Sequence, residues 1–149
     1  MQKMNNKTAM KTGFEKYHTT SMRIPLFEVD LGQGVYHGNY FHLFEAARET
    51  FFRDIGYPYK KIMANELHLT IAKVICAYRR SLRYDDLIEI QTDISRVRTR
   101  SLELNQKIYR DEDNGKKVLC TEAGFNMVCV RFSGQVVSLP SELVESLAV

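Results

Sequence analysis

One helical pattern followed by a long run of strand patterns is what most limits the folds open to this chain. Between Asn39 and Ile55, the residues Tyr40, Phe41, Phe44, Ala47, Phe51, Phe52 and Ile55 recur at three- and four-residue steps. That spacing gathers them on one apolar face of a helix. Glu45 and Glu49 precede Arg48 and Arg53 by three and four residues, a spacing suited to the exposed side. Gly56 stands where helices commonly end, and Pro58 can open a short second helical turn through about Asn65.

From Leu67 onward the rhythm is that of strands. Leu67–Tyr78, Leu87–Val97, Ser101–Arg110 and Lys117–Arg131 are long and rich in β-branched and aromatic residues. Ile88, Ile90 and Ile94 alternate with Glu89, Gln91 and Asp93, so one face of this strand is wet. Asp111–Gly115 reads as a hairpin turn in which Asn-Gly supplies positive φ angles. Upstream, Met22–Val29 is predicted as a first strand ending at Asp30, with Pro25 marking an edge or bulge because proline cannot donate to the ladder. Ser138–Val149 reads as a short closing helix capped by Ser138 or Ser141. One amphipathic helix needs one apolar sheet face, so the fold class is α+β, a curved antiparallel sheet wrapped around a single long helix.

The 149 residues make one domain, expected over residues 21–149, with residues 1–20 as a polar lead-in. Twenty-one basic residues against 18 acidic ones leave a net charge of +3, which argues against a general nucleic-acid binder. Cys76, Cys120 and Cys129 are odd in number, widely spaced and set among apolar neighbours, so they read as reduced buried thiols rather than disulfides or zinc ligands. No apolar stretch approaches the ~20 residues of a membrane helix, and the N-terminus lacks the apolar run of a secretory signal. The expected compartment is the cytoplasm. The histidines His18, His37, His42 and His68 have no metal-ligand spacing, so no metal is expected.

The stretch with chemical content runs from Val29 to Arg48, VDLGQGVYHGNYFHLFEAAR. A carboxylate is followed by a glycine-bearing turn, and a helix begins within ten residues. The first turn of a helix carries unpartnered N–H groups and a partial positive charge. A carbonyl placed there would have its developing oxyanion stabilised, at about 3–4 kcal/mol per well-aimed donor. A carboxylate on the preceding turn could attack the carbonyl carbon or activate a water. The same residues also fit a plainer role, since aspartates before glycines cap turns.

The segment resembles the signature of the 4-hydroxybenzoyl-CoA thioesterase family, which includes acyl-CoA thioesterases associated with the Tol–Pal system. The resemblance lies in Asp30, the glycine-bearing turn, Val35-Tyr36-His37, Tyr40 and Phe44-Glu45-Ala46-Ala47-Arg48, and extends through Tyr84-Asp85-Asp86 and Ser101 to Leu139-Pro140. One departure is visible: the family usually carries glycine three residues after the aspartate, where this chain has Gln33 between Gly32 and Gly34. The resemblance implies a hotdog fold and hydrolysis of an acyl-CoA thioester to a free acid and CoA, with no cofactor. It implies Asp30 as the catalytic carboxylate, either nucleophile or base, and the backbone N–H of His37 as donor to the thioester carbonyl. Tyr36 and His37 would contact substrate, with the His37 ring either orienting Asp30 or the substrate or else filling the dimer interface, and the site would lie between subunits of a homodimer or homotetramer. Glu45 matches the family's helix glutamate.

Arg96, Arg98 and Arg100 alternate and so are expected on one face at a strand end, with Arg79, Arg80 and Arg83 after the previous strand. Forked guanidinium donors suit the phosphates of CoA, and the family binds CoA near this region, which points to Arg98 and Arg100. A solvated basic edge that discourages aggregation is the alternative use. Glu122, in an apolar strand, is expected to be a paired structural carboxylate. A non-catalytic acyl-CoA sensor or scaffold and a hotdog dehydratase are the rival functions.

Overall fold

The computed structural model describes residues 17–148. The elements are β1 (His18–Arg23), α1 (Tyr40–Asp54), α2 (Tyr59–Ala64), β2 (Leu67–Tyr78), β3 (Leu87–Val97), β4 (Ser101–Asp111), β5 (Lys117–Arg131) and α3 (Ser141–Ala148). Residues 1–16 of the expected polar lead-in lie outside the described residues, and His18–Thr20 belong to β1. The five strands form one antiparallel sheet in the order β1-β3-β4-β5-β2. Irregular register at Ile71/Lys73, Ile94/Arg96 and Ile108/Tyr109 gives three strand pairs the local kink and added twist that let the sheet curve. The result is a hotdog fold, with α1 held against the concave apolar face.

The helix forms where the periodicity puts it. Leu43, Phe44, Ala47, Phe51 and Phe52 are buried, and Phe44 meets Phe125 of β5 at 5.5 Å between ring centroids. Gly56, at φ +84°, closes α1: its N–H donates to Arg53 O while the Tyr57 N–H reaches back to Phe52 O. That paired bonding is the Schellman ending, which needs a left-handed residue. Arg48 corrects one expectation, because it faces the sheet and is only 6% exposed. Its Nη1 donates to Gln106 Oε1 at 3.0 Å and its guanidinium lies 4.5 Å from the centre of the Phe125 ring. Burial lowers its pKa. The hydrogen bond to an uncharged amide and the ring contact hold helix to sheet.

Three other boundaries moved. The first strand is His18–Arg23, not Met22–Val29, because its partner β3 begins at Leu87, opposite Arg23. Pro25 then precedes a single 3-10 turn, Leu26–Glu28. The Asn-Gly turn uses one left-handed residue, Gly115 at φ +78°, with Gly115 N–H bonded to Glu112 O and Glu112 N–H to Lys116 O. This is a type I turn closed by a glycine bulge rather than a two-residue hairpin. The closing helix starts later than Ser138, its first bond running from Val144 N–H to Pro140 O.

The connection from β2 to β3 crosses the end of the sheet. Arg79 and Arg80 donate backbone N–H groups to Cys120 O, and the Arg110 side chain donates to Ser81 O. This crossing carries Leu82, fully buried, to the place where the segment after β1 comes down. Among the described residues, no helix is long and apolar enough to cross a membrane. Cys76, Cys120 and Cys129 are free thiols, the last two buried.

Candidate active site

Asp30 sits on a closed loop. Val29 and Val35 form an isolated antiparallel bridge, the Asp30 N–H donates to Gly34 O, and the Gln33 N–H donates back to Asp30 O. The carboxylate joins in, accepting the Gly32 N–H on Oδ1 at 2.8 Å. That bond orients the side chain and leaves the second oxygen free of it. Asp30 is exposed, and among the described residues no Lys, Arg or His lies within ion-pair distance. The turn-capping role is therefore real. It uses one carboxylate oxygen and is compatible with chemistry at the other.

Gln33 is the residue of this loop with a left-handed backbone, at φ +67°. The position where the family resemblance leads one to expect glycine is thus the one whose backbone favours it. Glycine at 32 has a different reason: a Cβ there would stand 3.0 Å from Asp30 Oδ1. The loop keeps its shape with glutamine at the strained position, so Asp30 and His37 retain their spacing.

The chain then enters the helix through a 3-10 turn, His37–Asn39, which runs directly into α1. Val35 N–H donates to Leu82 O, Tyr36 N–H to Glu28 O, and Asn39 N–H to Tyr36 O. Being first in the turn, the N–H groups of His37 and Gly38 have no acceptor within it. The Tyr36 and His37 rings lie 4.2 Å apart, both exposed. Gly38 must be small, since a Cβ would meet the Tyr36 ring at 3.0 Å. Tyr78, at the end of β2, donates its hydroxyl to His37 O at 2.7 Å. Desolvation, reinforced by Cys76, pushes that hydroxyl up to about 12, so it stays a donor throughout the neutral range. Tyr40 accepts the Leu82 N–H at 3.3 Å and meets the Tyr78 ring edge-on.

The structure thus brings Asp30, Tyr36 and His37 together at one end of the sheet. It does not bring Arg98 and Arg100 there. The Asp30 loop is tied through the Val35 N–H to Leu82, shortly before β3 begins, whereas Arg98 and Arg100 follow the end of β3. Eleven strand residues separate the two ends, roughly 35 Å at the usual rise. The three alternating arginines also do not share one strand face: β3 stops at Val97, and Arg98 and Arg100 belong to the reversal into β4. Arg98 N–H donates to Ser101 O, and its guanidinium lies 3.8 Å from Glu103. Glu122 is paired as expected, with Arg79 at 2.9 Å holding its carboxyl below the usual range. Glu45 is exposed and lines a cavity of about 130 Å³ between α1 and β2, some 12 Å along the helix from His37.

Two residues of this region went unmarked in the sequence reading. Glu28, two positions before Asp30, is a buried carboxylate, and His42 of α1 is bonded to it. The available signal was a lone charge inside the apolar run Pro25–Val29.

The sequence and the fold have counterparts among known proteins. A sequence model of the thioesterase-like superfamily matches residues 24–147. This chain belongs to that superfamily. Among its relatives in sequence, a putative esterase of Aquifex aeolicus is 27% identical over 125 residues, spanning 84% of this chain and 93% of that one. The acyl-CoA thioester hydrolase YbgC of Escherichia coli is 32% identical over 109 residues, spanning 73% of this chain and 78% of the relative. The solved structure of 4-hydroxybenzoyl-CoA thioesterase from Pseudomonas sp. strain CBS-3 matches with a TM-score of 0.79 at 21% identity, covering 88% of this chain and 99% of that one. This last likeness bears on the hotdog fold. All of the candidate site, from Glu28 through the end of α1, lies within the span that the superfamily matches.

Proposed function

We infer that this chain hydrolyses an acyl-CoA thioester to a carboxylic acid and free CoA, with Asp30 as the catalytic carboxylate. The observation that carries this reading is the closed Asp30 loop, which sets an exposed, half-committed carboxylate directly before a helix N-terminus in a thioesterase-like chain. The name of the YbgC relative supplies the acyl-CoA class. The thioester carbonyl oxygen would face the N–H groups of His37 and Gly38, where oxyanion charge is stabilised as it develops. Asp30 then either attacks the carbonyl carbon, giving an anhydride that water opens, or takes a proton from a water that attacks it. In both routes the C–S bond breaks, the sulfur leaves as thiolate and is protonated from solvent. The chemistry asks for no metal or redox cofactor.

A second copy of the chain would complete the site. β2 is a sheet edge, and on it Ile71, Val74, Ile75 and Tyr78 are exposed, Ile75 by 65%. A long apolar edge strand is a template for pairing. β2 starts beside Arg131 and the Arg100 end of the sheet and finishes at Tyr78, bonded to His37. Two β2 edges paired antiparallel about a two-fold axis would therefore lay one copy's Arg98 and Arg100 end beside the other copy's Asp30 end. This arrangement gives the arginines a use that one chain alone cannot, as partners for CoA phosphates. Light scattering at micromolar protein should show a homodimer or homotetramer, and a 17.3 kDa monomer would remove this part of the reading. Three free thiols accord with the cytoplasm as the compartment.

Release of free thiol across a panel of acyl-CoA esters tests the activity. Turnover of at least one ester supports it, whereas tight binding without hydrolysis would favour a sensor. In the same assay, Arg98→Ala or Arg100→Ala should raise KM for the CoA ester while changing kcat little, because contacts to the remote nucleotide contribute uniform binding. The effect should shrink with a truncated pantetheine thioester. Equal losses on both substrates would make these arginines structural.

A further inference from the structure

Glu28 is 95% buried in its side chain, within two residues of the exposed Asp30. A buried carboxylate needs donors, and the structure shows one: His42 Nδ1, at 3.1 Å from Oε2 and 3.3 Å from Oε1. Ionised Glu28 can only accept, so Nδ1 carries the proton and donates. The rest of the imidazole faces outward, 63% exposed. The backbone carbonyl of Glu28 is used as well, accepting the Tyr36 N–H at 3.1 Å and the Asn39 side-chain amide at 3.1 Å. One residue therefore binds the 3-10 turn through its carbonyl and the first turn of α1 through its carboxylate. Between these ties lies the loop that holds Asp30.

We propose that the Glu28–His42 pair is a strap that sets Asp30 against the N-terminus of α1, making both positioning residues for the hydrolysis inferred above. The inference rests on that reading and deepens it. The loop leaves Glu28 through Val29 and returns at Val35, so its rigid-body placement depends on where Glu28 is anchored. The carbonyl bonds fix the entry to the helix. The His42 bond fixes Glu28 to the helix itself, and the buried charge resists any movement that would leave it without a donor. Displacement of a reacting group by about 1 Å can cost a hundredfold in rate. A strap of this kind acts on kcat through Asp30 and leaves CoA binding alone.

The test is a double-mutant cycle on the full chain. His42→Ala removes an exposed ring and should keep the fold, checked by thermal midpoint. The pair His42→Ala with Glu28→Gln also removes the buried charge, so a loss shared by both variants is not the effect of an orphaned carboxylate. With the best ester of the panel, each should lower kcat by about ten- to a hundredfold and change KM by less than about threefold. In an Asp30→Asn background His42→Ala should cost nothing further, because the residue it positions is already disabled. An unchanged kcat in His42→Ala overturns the strap, as does a full additional loss in the Asp30→Asn background. Full rate in Asp30→Asn alone overturns the strap and the hydrolysis reading together. Loss there with normal kcat in His42→Ala overturns the strap only.

Discussion

Replacing Asp30 with asparagine is expected to leave fold and oligomer intact while lowering kcat by about a hundredfold or more, the scale of a positioned acid–base group. The two side chains are nearly the same size, and only the aspartate can attack or accept a proton as an anion. The structure sharpens this comparison. Asp30 Oδ1 accepts the Gly32 N–H at 2.8 Å, and an asparagine carbonyl can do the same, so the turn should survive the substitution. Binding of the CoA ester should persist, and tightens if the carboxylate is crowded against the thioester in the ground state. A turn-capping aspartate without chemistry predicts an unchanged rate. The measurement is kcat and thermal midpoint on one preparation, with the best ester of the panel. A well-folded Asp30→Asn protein of full activity would remove the mechanism.

Phe44→Ala should lower stability by about 3–5 kcal/mol. Phe44 is fully buried on the sheet side of α1, with its ring 5.5 Å from Phe125 and 6.5 Å from Phe41. Its carbonyl also accepts Gln106 Nε2 at 3.1 Å, and Gln106 in turn accepts from the buried Arg48. A cavity at Phe44 therefore loosens both the aromatic contact and the polar network that ties helix to sheet. For a chain of this length the loss corresponds to a thermal midpoint lower by roughly 6–20 °C. Denaturant unfolding of wild type and variant measures it, with similar m-values indicating a shared unfolded state. A cost below about 1 kcal/mol would mean that α1 is held by something other than this contact. The site should fail with the helix, because His37 and Gly38 present their N–H groups only while α1 stays seated.

The sequence by itself determined the element order and the helical face. Strands β2, β3 and β5 run over Leu67–Tyr78, Leu87–Val97 and Lys117–Arg131, as their β-branched and aromatic content predicts, with alternation marking β3 as well. Periodicity is a local property: a side chain's face follows from its position, and burial of one face repeats along the element. The Val29–Arg48 segment was legible for the same reason, since carboxylate, turn and helix start are consecutive in the chain. What is not local was lost. The end of β1 depended on where β3 begins, and no pattern in residues 18–29 records the register of a distant partner. Arg48 reads as a surface cation by its spacing from Glu45, yet Gln106 and Phe125, some 60 and 80 residues away, make a buried place for it. Arg98 and Arg100 read as partners for CoA phosphates, and only the fold shows that the length of β3 separates them from Asp30 within one chain. Glu28 and His42 stand 14 residues apart and look unrelated until the fold closes. Tertiary structure alone decided these pairings. A hydrogen bond or a buried charge depends on atoms a few ångströms apart in space, and sequence patterns report only neighbours along the chain.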